Sequence, residues 1–131
     1  MKCRRNYYGR IKYNSKREKL NTVYVVDEED IVTGANHEYQ IWNNYYDNEE
    51  KPELLAKINF QNGARQEKGS TRGIIDTDLL EIVRHRLEGF QSGKFYSREN
   101  QMALMHIEEA LLWLNKRVED RIERNVLGTN K

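Results

Sequence analysis

Apolar positions along this 131-residue chain change period once, near its middle. Before that point they alternate with polar ones; after it they recur at offsets of three and four. Four short runs rich in β-branched and aromatic residues read as strands: Tyr7 to Tyr13, Thr22 to Val26, Glu38 to Trp42 and Leu54 to Phe60. In the last run a period of two puts Ala56, Ile58 and Phe60 on an inward face and Lys57, Asn59 and Gln61 on an outward one. Polar turn material separates the runs at Asn14-Ser15, Asp27 to Asp30, and Asn43 to Pro52, which holds the only proline. The pattern predicts a small antiparallel sheet.

The second half predicts an antiparallel helical hairpin. Asp76 is the expected cap of a first helix with Leu80, Val83, Leu87 and Phe90 on one face, ended by Gly93. A link through Lys94 to Tyr96 leads into a long helix running toward Arg124, with Ser97 as its N-cap and Glu99 in the first turn, where the helix dipole favours negative charge. Along it Ala103, Ile107, Ala110, Leu111, Leu114, Val118 and Ile122 form one apolar stripe. Met102, Met105, Leu112 and Trp113 form a second, so two faces of this helix call for burial and one partner helix is not enough. The expected fold class is α+β in a single domain, residues 1–131: a β-rich part (1–62), a glycine-rich basic loop (63–75) and a helical hairpin (76–131) that mediates oligomerisation.

Composition supports that last point. Only 37% of residues are hydrophobic and 33% are charged, which is poor for a self-sufficient globule, yet eight tyrosines and two tryptophans argue against disorder. Association of copies reconciles the two. A net charge of +1 gives no general attraction to nucleic acid or to a membrane surface. Cys3 is the only cysteine, so neither a disulfide nor a cysteine metal cluster is expected. No signal-like apolar N-terminus and no bilayer-length apolar run are visible, making a reducing cytoplasm the default.

Catalytic chemistry is hard to find in the sequence. His37, His85 and His106 lie far apart and outside any H-x-x-x-H or H-E-x-x-H frame, so no metal or other cofactor is expected. Glu108 and Glu109 are adjacent on a helix and point about 100° apart, so they do not converge. The loop from Asn62 to Gly73 combines Gly63, Gly69 and Gly73 with Arg65, Lys68 and Arg72, but its order Lys68-Gly69-Ser70-Thr71 is not that of a phosphate-binding P-loop. It reads either as a connector or as a lid. Near the end of the long helix Trp113, Arg117, Arg121 and Arg124 fall at spacings of three and four. That row is either a solvated helix end pairing with Glu119, Asp120 and Glu123, or an anion site of bidentate guanidinium groups. The chain reads as a binder rather than an enzyme.

The runs INFQNG (Ile58 to Gly63), LLEIVRHRLEGFQSG (Leu79 to Gly93) and SRENQMALMHIEEALLWLNKR (Ser97 to Arg117), with the ending GTN (Gly128 to Asn130), resemble the phage Thoeris anti-defence sponge family, the first-described group of Tad proteins. The resemblance covers roughly the C-terminal three-fifths. Its S-R-E-x-x-x-A and E-E-A-x-x-W elements are shared with the related anti-CBASS sponges. It implies a phage-encoded protein, acting in the cytoplasm of the infected bacterial host, that sequesters nucleotide second messengers without degrading them. The implied ligands are glycocyclic isomers of ADP-ribose, with cyclic dinucleotides and trinucleotides as further candidates. Carried over residue by residue, Arg117 and Arg121 take the phosphates, Phe90 stacks on adenine, and Asn100 and Gln101 add hydrogen bonds; Arg65 and Arg98 are weaker transfers, to a second, trinucleotide pocket. Asn100 and Arg117 stand 17 positions apart on one helix, about 25 Å along its axis, too far for one dinucleotide-sized ligand. If both touch the same ligand, two copies must pack their long helices antiparallel, and the resemblance extends this to hexamers. A small nucleic-acid-binding regulator and a messenger-cleaving enzyme are the rival readings.

Overall fold

A computed structural model of the chain describes residues 9–10, 20–43, 52–64 and 66–123. Asn14-Ser15, most of the two polar stretches around it and before Pro52, Arg65 and Arg124 lie outside them. The chain divides into two compact units, Met1–Phe60 and Gln61–Lys131, with the boundary at the start of the glycine-rich loop.

The first unit is a four-stranded antiparallel meander, β1 (Gly9–Arg10), β2 (Asn21–Val25), β3 (Glu38–Asn43) and β4 (Glu53–Asn59), in spatial order β1-β2-β3-β4. Val23 faces Ile41 across β2 and β3, and Ile41 faces Ala56 across β3 and β4, so apolar cross-strand pairs run through the sheet's centre. Trp42 pairs with Leu54 rather than Leu55, which makes Leu55 the extra residue of a β-bulge. Alternation in β4 holds beyond the bulge: Ala56, Ile58 and Phe60 are half-buried, Lys57 and Asn59 exposed. The Phe60 ring meets Tyr39 edge-on, centroids 5.7 Å apart. Gln61 departs from the expected outward position because its side chain is occupied, Nε2 donating to the Gly63 carbonyl at 3.0 Å and Oε1 accepting from Gly73 N–H at 3.3 Å.

Between β2 and β3 the polar run does the work of a turn. The Asp27 carboxylate accepts N–H groups of His37 (2.9 Å) and Glu38 (3.1 Å), while Asp30 Oδ1 accepts that of Val32 at 2.8 Å. Gly34, at φ 77°, closes the tip by donating to the Asp30 carbonyl. The tip leaves Ile31 and Val32 almost wholly exposed.

The second unit opens with the glycine-rich loop, which is closed on itself. Asn62 and Thr71 exchange both backbone hydrogen bonds, at 2.8 and 2.9 Å, and Gln61 N–H donates to the Ile74 carbonyl. Gly63 has φ 85°, a backbone conformation that favours glycine, and a Cβ there would press on the Ser70 side chain at 3.1 Å.

Helix α1 spans Asp76–Gln91 and α2 spans Arg98–Glu123. Together they form the expected hairpin. Two details differ from the sequence expectation. Ile75, not Asp76, occupies the N-cap of α1; an isoleucine has no acceptor, and Asp78 compensates by taking the Ile75 N–H at 2.9 Å. The helix ends at Gln91, with Ser92 as C-cap bonded to the carbonyls of the preceding turn, before Gly93 is reached.

Packing also rotates the predicted stripes by a fraction of a turn. On α1 the half-buried row is Leu80, Arg84, Leu87 and Gln91, while Val83 and Phe90 flank it at 42% and 38% exposure. On α2 it is Asn100, Leu104, Ile107, Leu111, Leu114 and Arg121, with Leu104 and Leu111 the buried apolar residues among those described. Leu104 replaces exposed Ala103 because the inward row follows alternating steps of four and three, the geometry of a two-helix seam. Arg84 sits in the α1 row because Glu81 (3.0 Å) and Glu88 (2.6 Å) neutralise it.

Candidate ligand-binding site

The site begins at the hairpin turn, where one glutamine ties the two helices together. Gln91, last residue of α1, accepts the Ser97 N–H on Oε1 at 2.9 Å and donates from Nε2 to the Ser97 carbonyl at 3.1 Å. Both backbone groups of the α2 N-cap are thereby fixed. Ser97 Oγ accepts the Asn100 N–H at 3.0 Å, completing the cap, and the Ser97 carbonyl accepts the Gln101 N–H.

This network orients two of the sequence-predicted site residues. Asn100 Nδ2 donates to the Phe95 carbonyl at 3.3 Å, which leaves its Oδ1 uncommitted among the described residues. Gln101 Oε1 accepts from Gln91 at 3.3 Å, which leaves its amide N–H groups open among the described residues. One acceptor and one donor pair are thus held at the start of α2. Arg98, the first residue of α2, is exposed beside them. Phe90 belongs to the same end, in the last turn of α1; the Arg86 guanidinium lies over its ring, 5.4 Å from the centroid. The linking residues Phe95 and Tyr96 add two more exposed aromatics, 68% and 71%, with Lys94 over the Phe95 ring at 5.5 Å.

Arg117 and Arg121 lie elsewhere. At 26 residues, α2 outruns the 16-residue α1 by about ten residues, on the order of 15 Å, and both arginines are on that overhang. Arg117 is exposed, and no carboxylate among the described residues pairs with it, so the reading of the arginine row as surface ion pairs finds no support at this position. Arg121 is half-buried on the inward row. Lys116 covers the exposed Trp113 ring at 5.4 Å. The structure therefore gathers Phe90, Arg98, Asn100 and Gln101 at one end of the hairpin and leaves Arg117 about 25 Å and Arg121 about 30 Å from Asn100 along α2.

Between the two groups runs an uncovered apolar face. Met102, Met105, Leu112 and Trp113, the second stripe that calls for burial, are 41%, 51%, 71% and 64% exposed in the single chain. Arg86 and Gln91 were not singled out from the sequence. The signal for Arg86 was its i,i+4 spacing to Phe90; none marked Gln91.

Among the described residues no three of His, Cys, Asp or Glu converge as metal ligands, and no helix is long and apolar enough to cross a membrane. His85 and His106 are exposed on the helices; His37 lies in the sheet unit with Nε2 3.6 Å from Asp30.

An antiparallel sheet followed in the chain by a two-helix hairpin defines an α+β fold class. The chain belongs to the Acb2/Tad1 hairpin-domain family, whose profile matches residues 53–119, from the start of β4 to within a turn of the end of α2. Six of the seven candidate residues fall inside the match and Arg121 lies just beyond it. The chain is also 47% identical over 77 residues to Thoeris anti-defense 1 of Bacillus phage SBSphiJ7, a match that covers 59% of this chain and 54% of that protein. It thus spans about half the length of that relative.

Proposed function

We propose that this chain is a phage immune-evasion protein that binds and sequesters a nucleotide second messenger of a bacterial defence system, without degrading it, in the cytoplasm of the infected host. The name of its relative supports the anti-Thoeris direction. Glycocyclic ADP-ribose isomers are the ligands that fit best, with cyclic dinucleotides and trinucleotides as further candidates. Their shared chemistry is a purine and two or more phosphates. In the proposed site Phe90 stacks on the base, Asn100 Oδ1 accepts an N–H of the ligand, Gln101 donates to it, and Arg117 and Arg121 hold the phosphates. Arg98 and Arg65 would serve a second, trinucleotide pocket.

The observation that carries this reading is the separation of the two groups on a helix with an uncovered apolar face. A site needing both ends of α2 is completed only by a second copy running antiparallel, so that Asn100 of one protomer meets Arg117 and Arg121 of its partner. Burial of Met102, Met105, Leu112 and Trp113 drives that contact. Two such sites form per dimer, and hexamers built from three dimers are the expected assembly.

Sequestration and cleavage are separated by one experiment. Protein is incubated with purified glycocyclic ADP-ribose and then digested, and the ligand is recovered. Intact messenger is expected; fragments would establish hydrolysis. The nucleic-acid-binding alternative is separated by salt. A regulator making six or more phosphate contacts loses about a thousandfold in affinity between 50 and 200 mM salt, whereas an enclosed site with a few arginines weakens much less.

A further inference from the structure

Two arginines two positions apart on α1 behave differently. Arg84 spends its guanidinium on Glu81 at 3.0 Å and Glu88 at 2.6 Å. Arg86 has no carboxylate among the described residues; what it touches is the ring of Phe90, one helical turn on, 5.4 Å from the centroid. A planar cation over a π-face is an attractive arrangement that needs no partner charge. Its consequence lies on the other side of the ring. An aromatic ring has two faces, Arg86 covers one, and Phe90 still keeps 38% of its surface open.

We propose that Arg86 is a positioning residue for the ligand site: it closes one face of Phe90 and fixes the ring, so that a purine base stacks on the other face in a three-layer guanidinium, phenyl and purine arrangement. This rests on the sponge reading above. Arg86 acts through Phe90 and not by touching phosphate. The cation also draws electron density toward itself through the ring, favouring an electron-rich purine on the opposite face over a base-free sugar phosphate.

The test is a double-substitution cycle on the full chain, with purified glycocyclic ADP-ribose as probe and dissociation constants measured by calorimetry. Arg86→Met keeps the side chain's bulk and removes the planar cation; Phe90→Leu keeps an apolar platform and removes the ring. Both side chains are partly or fully at the surface, and matching thermal unfolding curves confirm that each variant folds. Arg86→Met is expected to weaken binding about fivefold in the wild-type background and to have no further effect once Phe90 is leucine. Arg86→Lys should recover part of the loss. Unchanged affinity of Arg86→Met, or the same loss in both backgrounds, overturns the positioning role while leaving the sponge reading intact. Failure of the wild-type protein to bind the probe overturns both.

Discussion

The two ends of α2 are built on opposite plans. At its N-terminal end the chain satisfies itself: Gln91 holds both backbone groups of Ser97, Ser97 caps Asn100, and Asn100 reaches back to Phe95. The backbone groups of the cap are held within the chain, while Asn100 Oδ1 stays uncommitted among the described residues. Toward the C-terminal end α2 carries Leu112, Trp113, Val118 and Ile122, each more than a third exposed, and its overhang past α1 holds Arg117 without an ion pair among the described residues. The first end is closed by its own hydrogen bonds, whereas the second leaves apolar surface and a cation exposed on the single chain. A helix that costs conformational entropy to order and leaves its apolar face in water is not stable for its own sake. Under the proposed function, that difference makes association part of the site and not an addition to it.

Breaking the ligand chemistry should have the largest effect. Phe90→Ala and Arg117→Ala are each expected to cost roughly 2 to 5 kcal/mol in messenger affinity, since a phosphate or a base loses its main partner. Calorimetric titration checks this, and unchanged curves for both would remove these residues from the site. Placing a charge on the uncovered face comes next. Leu112→Glu should weaken subunit association by about 3 kcal/mol, the order of an unpaired buried charge. Light scattering would then show a smaller mass, with helix content unchanged by circular dichroism.

The preorganised end should respond differently. Gln91→Ala removes two bonds to Ser97 and one to Gln101, so it should lower folding stability by about 1 to 2 kcal/mol. A shift of the urea midpoint at constant slope would show it. A drop in ligand affinity without any loss of stability would place Gln91 in the ligand contact and not in the turn.

The smallest effect belongs to the sheet unit. There the Asp30 carboxylate accepts N–H groups of Val32 and Thr33, and these, with His37 beside it, hold the carboxyl below its ordinary value of 3.8. A carboxylate favoured in the folded state stabilises it above that value, and the contribution is lost as pH falls through the lower, folded one. Asp30→Asn should therefore melt slightly below the wild type at pH 6, with the gap closing toward pH 3.

Much of this was legible in the chain. Strand periodicity located β2, β3 and β4 to within a residue or two, because β-branched and aromatic residues were separated by turn-forming Asp, Asn and Gly. Ser97 announced the start of α2, and the exposed second stripe was visible as spacing. What failed to show was anything set by packing. Whether Ala103 or Leu104 faces inward depends on the angle at which α1 crosses α2, which a single helix does not encode. Ile75 as a cap has no signature, because its acceptor is borrowed from Asp78. Gln91 looked like one more polar residue near a glycine, and its role exists only once the turn brings Ser97 to it. The candidate site residues came from the family resemblance and their division between two ends followed from helix rise alone, whereas the stacking of Arg86 on Phe90 needed side-chain positions.

Complementation of two inactive subunits tests the shared site most directly. Asn100→Ala and Arg117→Ala proteins are each prepared, shown to bind poorly, then dissociated, mixed in equal amounts and allowed to reassociate. In a mixed dimer one site loses both residues and the other keeps both, so random exchange should restore about a quarter of the wild-type capacity for glycocyclic ADP-ribose at near wild-type affinity. Mixtures that bind no better than their components, or a monomeric mass by light scattering together with full binding by the wild-type protein, would contradict a site built from two chains.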